Sequence, residues 1–375
     1  ATFAVVPTEA VANNETQEPA PTDTPDPGTG SSDEPTPMPT PTPTPTEFAP
    51  IAVTPGAIIF ATGRNPGDPA GSLDLWTMEA DGSAQQQLIS MGGDDWSPAW
   101  SPDGTMVVWV SWQAGNHDIW YANADGTNAN PLTTDPADDK FPAWSPDGQW
   151  ILFTRTVDGD DELFVFELNA GTEYQLTDNS VPDGYAVWSP DQSKIAWASA
   201  PNGTWDIWIF DSADGGSYAL TDDAADDFSP TWLPDGSKIV FVSRRDGNLD
   251  IYHMLADGTE QASLTTDPAD EFYPRVSPDA GYIAYVRQTG DAGADSADLV
   301  LLSVETGEER VLANDVVAHD PGLVWSPDSN GLLFQRWTDG SEIDLWWIEL
   351  SGTQPMQLTN FGQYDGGATW RGTYP

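Results

Sequence analysis

Phe141-Pro142-Ala143-Trp144-Ser145-Pro146-Asp147-Gly148, followed one residue later by Trp150-Ile151-Leu152-Phe153, is the phrase that decides the fold of this chain. In Ser-Pro-Asp-Gly the proline presets φ and the glycine is free to take positive φ, so the flanking apolar segments read as two strands around a tight turn. The phrase recurs with anchors at Trp100, Trp144, Trp188, Trp232, Val276, Trp325 and Trp370, spaced by 44, 44, 44, 44, 49 and 45 residues. In the unit that opens at Ser97, strand A is Pro98-Ala99-Trp100, strand B runs from Met106 to Ser111, strand C from Asp118 to Asn123 and strand D from Asn130 to Thr133. Four short strands at such a period are the signature of a β-propeller blade.

Strand B alternates bulky apolar residues, as in Ile239-Val240-Phe241, and strand C is aromatic-rich, as in Asp206-Ile207-Trp208-Ile209-Phe210. Apolar content on both sides of a strand fits blades packed face to face. Strands B, C and D occur seven times, starting at Ala57, Met106, Trp150, Lys194, Lys238, Tyr282 and Leu332, but no strand A precedes the first set. The chain instead ends in Gly367-Ala368-Thr369-Trp370. The expectation is an all-β, seven-bladed β-propeller of four-stranded antiparallel blades, closed by the C-terminal strand completing the N-terminal blade, which removes two exposed sheet edges.

The 375 residues carry 60 acidic and 12 basic side chains, a formal net charge of -48. Such a field repels phosphates and anionic lipid, which argues against nucleic acid as a partner. Zero cysteines excludes thiolate chemistry and disulfides, and His117, His253 and His319 lie in three different repeats without ligand spacing. No stretch approaches the ~20 apolar residues that span a bilayer, so direct membrane insertion of the propeller is not expected. Residues 1–50 are another material: Pro35 to Thr46 alternates proline with threonine or methionine. That composition cannot bury enough apolar surface to fold and favours extended polyproline II, so 1–50 reads as a tether and 51–375 as the propeller. The first residue is alanine, as in a processed chain or a fragment, and a signal peptide or membrane segment upstream of Ala1 fits either.

The phrase from Phe141 to Gly148, a strand, then Asp-Ile-Trp or Asp-Ile-Tyr and an Ala-Asp-Gly turn resembles the TolB-type (WD40-like) propeller repeat over about residues 55 to 372. The resemblance implies an extracytoplasmic propeller, secreted, periplasmic or surface-tethered, that binds proteins, in some members fused to peptidase, kinase or sensor modules. TolB itself resembles a six-bladed ring with an added N-terminal domain, whereas seven units and a Pro/Thr tether are present here, so the partner of TolB does not carry over.

Strand direction places the A–B and C–D turns on one face and the B–C and D–A loops on the other. The first face repeats Ser-Pro-Asp-Gly and Asp-Gly and reads as structural punctuation. The second varies, with B–C loops lengthened at Gly63 to Ser72 and Thr289 to Ala297. Variable loops on a rigid scaffold are where binding sites concentrate. Arg64, Arg155, Arg244, Arg245, Arg287 and Arg336 fall at or just beyond the end of strand B, with Lys140 and Arg275 near the D–A connection. Opposite them stand the carboxylate pairs Asp94 with Asp95, Asp138 with Asp139, Asp226 with Asp227 and Asp270 with Glu271. These pairs are expected to form a rim ion-pair network with the arginines. Alternatively they line the channel mouth and coordinate Ca2+ through oxygen ligands. Repetition in several blades argues against a glycosidase pair, which needs only one asymmetric site.

The Asp that opens strand C (Asp74, Asp118, Asp206, Asp250, Asp298 and Asp344, with Glu162 in the remaining blade) is expected to cap backbone. Trp96, Trp112, Trp205 and Trp337 lie near the variable face, where indole rings stack on sugars or anchor peptides. With Arg155, Arg244, Arg245, Arg287 and Arg336 they form the expected binding face. The functional expectation is a non-catalytic module without a cofactor that binds a protein or peptide. Carbohydrate or cell-wall binding is the alternative, and a polysaccharide lyase or hydrolase the more distant one.

Overall fold

The computed structural model describes residues 58–64, 72–113, 115–290, 295–319, 322–338, 342–352 and 354–372. The tether expected over 1–50, and most of the two lengthened B–C loops, lie outside the described residues. What is described is all β, in antiparallel groups of four strands. The third group shows the plan: strand A, Asp139–Trp144, pairs with strand B, Trp150–Val157, which pairs with strand C, Asp160–Glu167, and that with strand D, Thr172–Gln175. Five sheets hold four strands each, and a sixth holds eight in two sets of four joined by the single pair Val316↔Arg336. The last strand, Asp365–Trp370, lies beside the first, Ile58–Thr62, with Ile58 opposite Trp370 and Thr62 opposite Asp365.

Burial explains the packing. Strand Ile58–Thr62 is buried along its whole length, and Val107 to Ser111, Ile151 to Arg155 and Ile239 to Ser243 are buried likewise. A strand apolar on both faces needs a neighbour on each. Seven hydrophobic clusters supply them, one between each pair of consecutive groups. The remaining cluster joins Leu333, Leu345 and Leu358 of the last group to Ile58, Phe60 and Trp370 of the first. The A-strand tryptophans, Trp100, Trp144, Trp188, Trp232, Trp325 and Trp370, are all buried there. Neighbouring A strands approach one another while D strands do not, so strand A is the inner edge of each blade.

In the second group strand B runs on to Gln113, strand C starts at Asn116 and strand D stops at Pro131, each off the sequence expectation by two residues, and two further differences shape strand A. Strand A starts three residues earlier, at Asp95 rather than Pro98 in the second group. The extra length holds a β-bulge: Trp96 faces Val110 and Ala99 faces Val108, so Ser97 and Pro98 together oppose Trp109. The proline removes a ladder donor there without ending the strand, because a bulge leaves that N–H unpaired in any case. The same bulge recurs in the strands that begin at Asp139, Asp183, Asp227, Glu271 and Asp365. Second, strand A of the last group is only Val324–Trp325, because strand D of the group before it, Glu309–Val316, runs on to meet strand B, Gly331–Thr338, at Arg336.

Candidate functional site

At four of the seams between blades the D–A connection carries two acids, and the two do different work. The first caps the preceding blade: Asp94, Asp138, Asp226 and Asp270 accept from the backbone N–H of Leu73, His117, Trp205 and Leu249, each at 2.9–3.2 Å. The second is the first residue of strand A and is fully buried, as Asp95, Asp139, Asp227 and Glu271 show. Three of these hold an arginine. Arg155 bonds Asp139 through Nε at 2.7 Å and Nη2 at 2.9 Å, and also grips Glu173. Arg245 bonds Asp227 at 2.7 Å, and Arg287 bonds Glu271 at 2.7 Å. Arg64 reaches Asp365 at 3.4 Å.

The second and fourth blades lack that arginine and use another donor. Trp109 Nε1 donates to Asp95 and Trp197 Nε1 to Asp183, both at 3.1 Å. The same strand-B place holds Phe60, Phe153, Phe241 or Tyr285 in the arginine blades. A neutral indole offsets a buried carboxylate less than a guanidinium does. Burial pushes the Asp95 carboxyl up to about 6, against hydrogen bonds from Ser111 and Trp109, and it pushes Glu271 up to about 7 even with Arg287 bonded to it. Burial beside Asp183 pushes Glu162, on strand C across the seam, up to about 7.

Among the strand-C acids Glu162 caps backbone as expected, accepting from the Asn179 N–H at 2.9 Å, whereas Asp206, Asp250 and Asp344 depart from that expectation. They bond side chains: Asp206 accepts from Thr221, Asp344 from Thr359 and Gln357, Asp250 from Asn248. The backbone of the following residue is served by threonine instead, as where Ile119, Leu163 and Ile207 donate to Thr133, Thr177 and Thr221. Thr-Oγ1, at Thr133, Thr177, Thr221, Thr265 and Thr359, is therefore the hub of five seams, since it can accept from the N–H and donate to a carboxylate.

The expected binding residues thus divide. Arg155, Arg245 and Arg287 turn inward onto carboxylates. Arg244 is exposed on the rim, and Arg336 lies over the Trp346 ring with Asp315 3.5 Å away. Trp205 is half-buried over the Asp226 cap. Trp337 donates through Nε1 to the Asp295 carbonyl. Trp112, 43% exposed, lies edge-on to His117, and Trp96 lies edge-on to both His117 and Phe141. The carboxylates considered for Ca2+ are distributed one pair per seam, and among the described residues no three His, Asp or Glu side chains cluster as a metal ion requires.

Phe141 and Tyr185, which the sequence reading passed over, are the exposed aromatics of the bulge, at 59% and 50%. Both have left-handed backbone, φ 54° and 57°, as do Ser97, Ser229 and Tyr273 at the same place in their blades. Bulky residues rarely adopt that conformation, and a residue ahead of proline has less freedom still, as Phe141 and Tyr273 do. The rings stand at the inner edge on the variable-loop face, Tyr185 6.0 Å from Phe228 and Phe141 5.7 Å from Trp96. The signal available in sequence was variation on a constant strand: Ser97, Phe141, Tyr185, Ser229, Tyr273 and Gly367 each precede a fixed anchor by three residues. On the opposite face a cavity of about 910 Å³ opens among Tyr282, Pro327, Asp328, Trp347, Trp370 and Arg371.

A model of the TolB beta propeller domain matches residues 67–187 and 142–372, and the chain belongs to that family. No curated protein matches. The fold is similar to that of a putative TolB from Agrobacterium tumefaciens, at 20% identity and TM-score 0.53, covering 70% of this chain and 90% of that one. It is also similar to an oligogalacturonate lyase in complex with manganese, at 16% identity and TM-score 0.63, covering 76% and 85%. A puromycin hydrolase matches at 14% identity and TM-score 0.66, covering 81% of this chain but 52% of that one.

Proposed function

We propose that this TolB-type propeller is a non-catalytic, extracytoplasmic binding module that takes a protein or peptide on the face formed by the B–C and D–A loops. The observation that carries the reading is the pair Phe141 and Tyr185: large rings held exposed at the inner edge, in a backbone conformation that costs of order 1–3 kcal/mol per residue. Strain of that kind persists where the exposed side chain is useful, and rigid aromatics are the usual anchors of protein recognition. Similarity to a lyase and a hydrolase below 25% identity concerns the fold alone.

Exposed rings also stack on sugars, so carbohydrate binding is the second reading. Panning a displayed peptide library on the immobilised chain, beside a glycan array, separates the two. Peptide ligands are expected, with affinity falling roughly thirtyfold in Phe141→Ser or Tyr185→Ser, as for loss of a ~2 kcal/mol anchor. Ligands that bind both variants as well as wild type would remove this face, and an array response with no peptide would replace the first reading by the second.

A further inference from the structure

Arg336 occupies a clamp from which both jaws are missing. In the arginine blades the guanidinium has two acceptors, one from strand A and one from the start of strand D. Where the arginine is level with the strand-A acid the two face each other, as Asp139 faces Arg155 and Glu271 faces Arg287, while Arg64 and Arg245 lie two residues beyond the facing Thr62 and Ser243. In the last blade the residue facing Arg336 is Val316, fully buried. The second acceptor stands two residues ahead of the strand-D residue that pairs with the second residue after the strand-C acid. That rule gives Gln85 for Arg64, Glu173 for Arg155, Gln261 for Arg245 and Glu309 for Arg287, and each makes the bond. In the last blade it gives Pro355, which has no side-chain acceptor. The arginine-free blades hold Ala129 and Ser217 there, so the acceptor accompanies the arginine everywhere else.

The guanidinium is nonetheless placed as in its sister blades. It lies 4.9 Å from the Trp346 ring, against 4.9 Å for Arg64 on Trp76, 4.7 Å for Arg155 on Phe164 and 4.8 Å for Arg245 on Tyr252. Asp344, facing Arg336 on strand C, accepts from Gln357 and Thr359. Among the described residues the other carboxylate contact is Asp315, 3.5 Å away on a largely solvated side chain, a geometry worth little in water. A positioned fork of donors with its acceptors removed matches the planar geometry of a carboxylate from outside.

We propose that Arg336 anchors a carboxylate of the bound peptide, from an acidic side chain or the C-terminus, in the place that Asp139 and Glu173 fill around Arg155. This rests on the peptide-binding reading and names the chemistry of one of its contacts. It also reconciles an acidic partner with a chain of net charge -48: recognition is confined to one site, and association quickens with added salt instead of slowing.

The test compares peptides selected from a displayed library on wild type, Arg336→Gln and Arg336→Lys. Wild-type ligands should carry an acid at a fixed position and bind about tenfold or more weakly to Arg336→Gln, as for loss of a charge-assisted bidentate pair. Exchange of that acid for its amide should cost the same on wild type and nothing further on the variant. Arg336→Gln should melt with wild type, whereas Arg155→Gln should melt lower. Ligands without a fixed acid, or equal affinity for Arg336→Gln, overturn the proposal. So does a melting loss equal to that of Arg155→Gln, which would mean that the arginine is satisfied within the chain. Retention of trigalacturonate in place of any peptide overturns the peptide class. Ligands that need Phe141 and Tyr185 but not Arg336 leave the binding face standing and remove this inference alone; if no peptide is selected, both fall.

Discussion

Each blade spends its polar residues on holding buried carboxylates, and single substitutions should show which of them the fold depends on. Arg155 is the clearest case, because its loss leaves Asp139 charged and fully buried with its main partner gone. Arg155→Gln is expected to cost ~3–5 kcal/mol in urea unfolding, the range for a buried pair broken on one side. Phe141 is the opposite case, exposed and strained, touching Trp96 by an edge. Phe141→Gly should be neutral or stabilising by up to ~1 kcal/mol, since glycine takes positive φ without a clash. A loss above ~2 kcal/mol would show that the ring packs for stability and would weaken its reading as a binding anchor.

At the scale of the strand pair, the buried carboxylates of the seams should make the fold sensitive to pH, and the arginine-free seam of Glu162 and Asp183 is one place to test it. Glu162 faces Asp183 across the seam between the third and fourth blades, with Asp160 nearby, and the neutral groups around them are Thr177, Asn179, Ser199 and Trp197. Arg155 stands opposite Glu162 in the strand register, but its hydrogen bonds go to Asp139 and Glu173. A carboxyl whose value rises from 4.5 to about 7 on folding holds its proton more tightly in the folded chain. Its contribution is therefore fully present below about 4.5 and is lost as pH rises through about 7. Melting temperature should fall between pH 5 and pH 8, and Glu162→Gln, which keeps a neutral side chain of the same shape, should flatten that slope. Parallel slopes for variant and wild type would assign the decline to the general acidity of the surface.

For the molecule as a whole, the pairing of the last strand with the first makes the C-terminal residues part of the first blade. Removing Gly366 to Pro375 exposes the edge of Ile58–Thr62 and takes Ala368 and Trp370 from the cluster that includes Phe60, Leu333 and Leu345. Loss of one buried tryptophan alone costs ~3–5 kcal/mol, so the truncated chain should melt at least ~10 °C lower or aggregate through the open edge. An unchanged melting curve would show that the contact between the chain ends carries little of the stability.

Period and turn chemistry were enough to read the architecture from sequence, because both are local. Ser-Pro-Asp-Gly imposes a turn wherever it occurs, and a constant anchor tryptophan every 44 residues over the first four units leaves little but a ring of repeated sheets. The lengths of strand A were misread for an equally local reason: proline suggested a strand start, while the bulge that admits it depends on the facing residue of strand B. What the rim residues do was beyond sequence altogether. Arg155 and Arg336 both lie near the end of strand B, and only the register across strands shows that one faces Asp139 and the other Val316. The exposure of Phe141 and the burial of Phe153, two aromatics in one blade, were likewise settled by which side of the inner edge each ring occupies, a property of the assembled ring rather than of either residue.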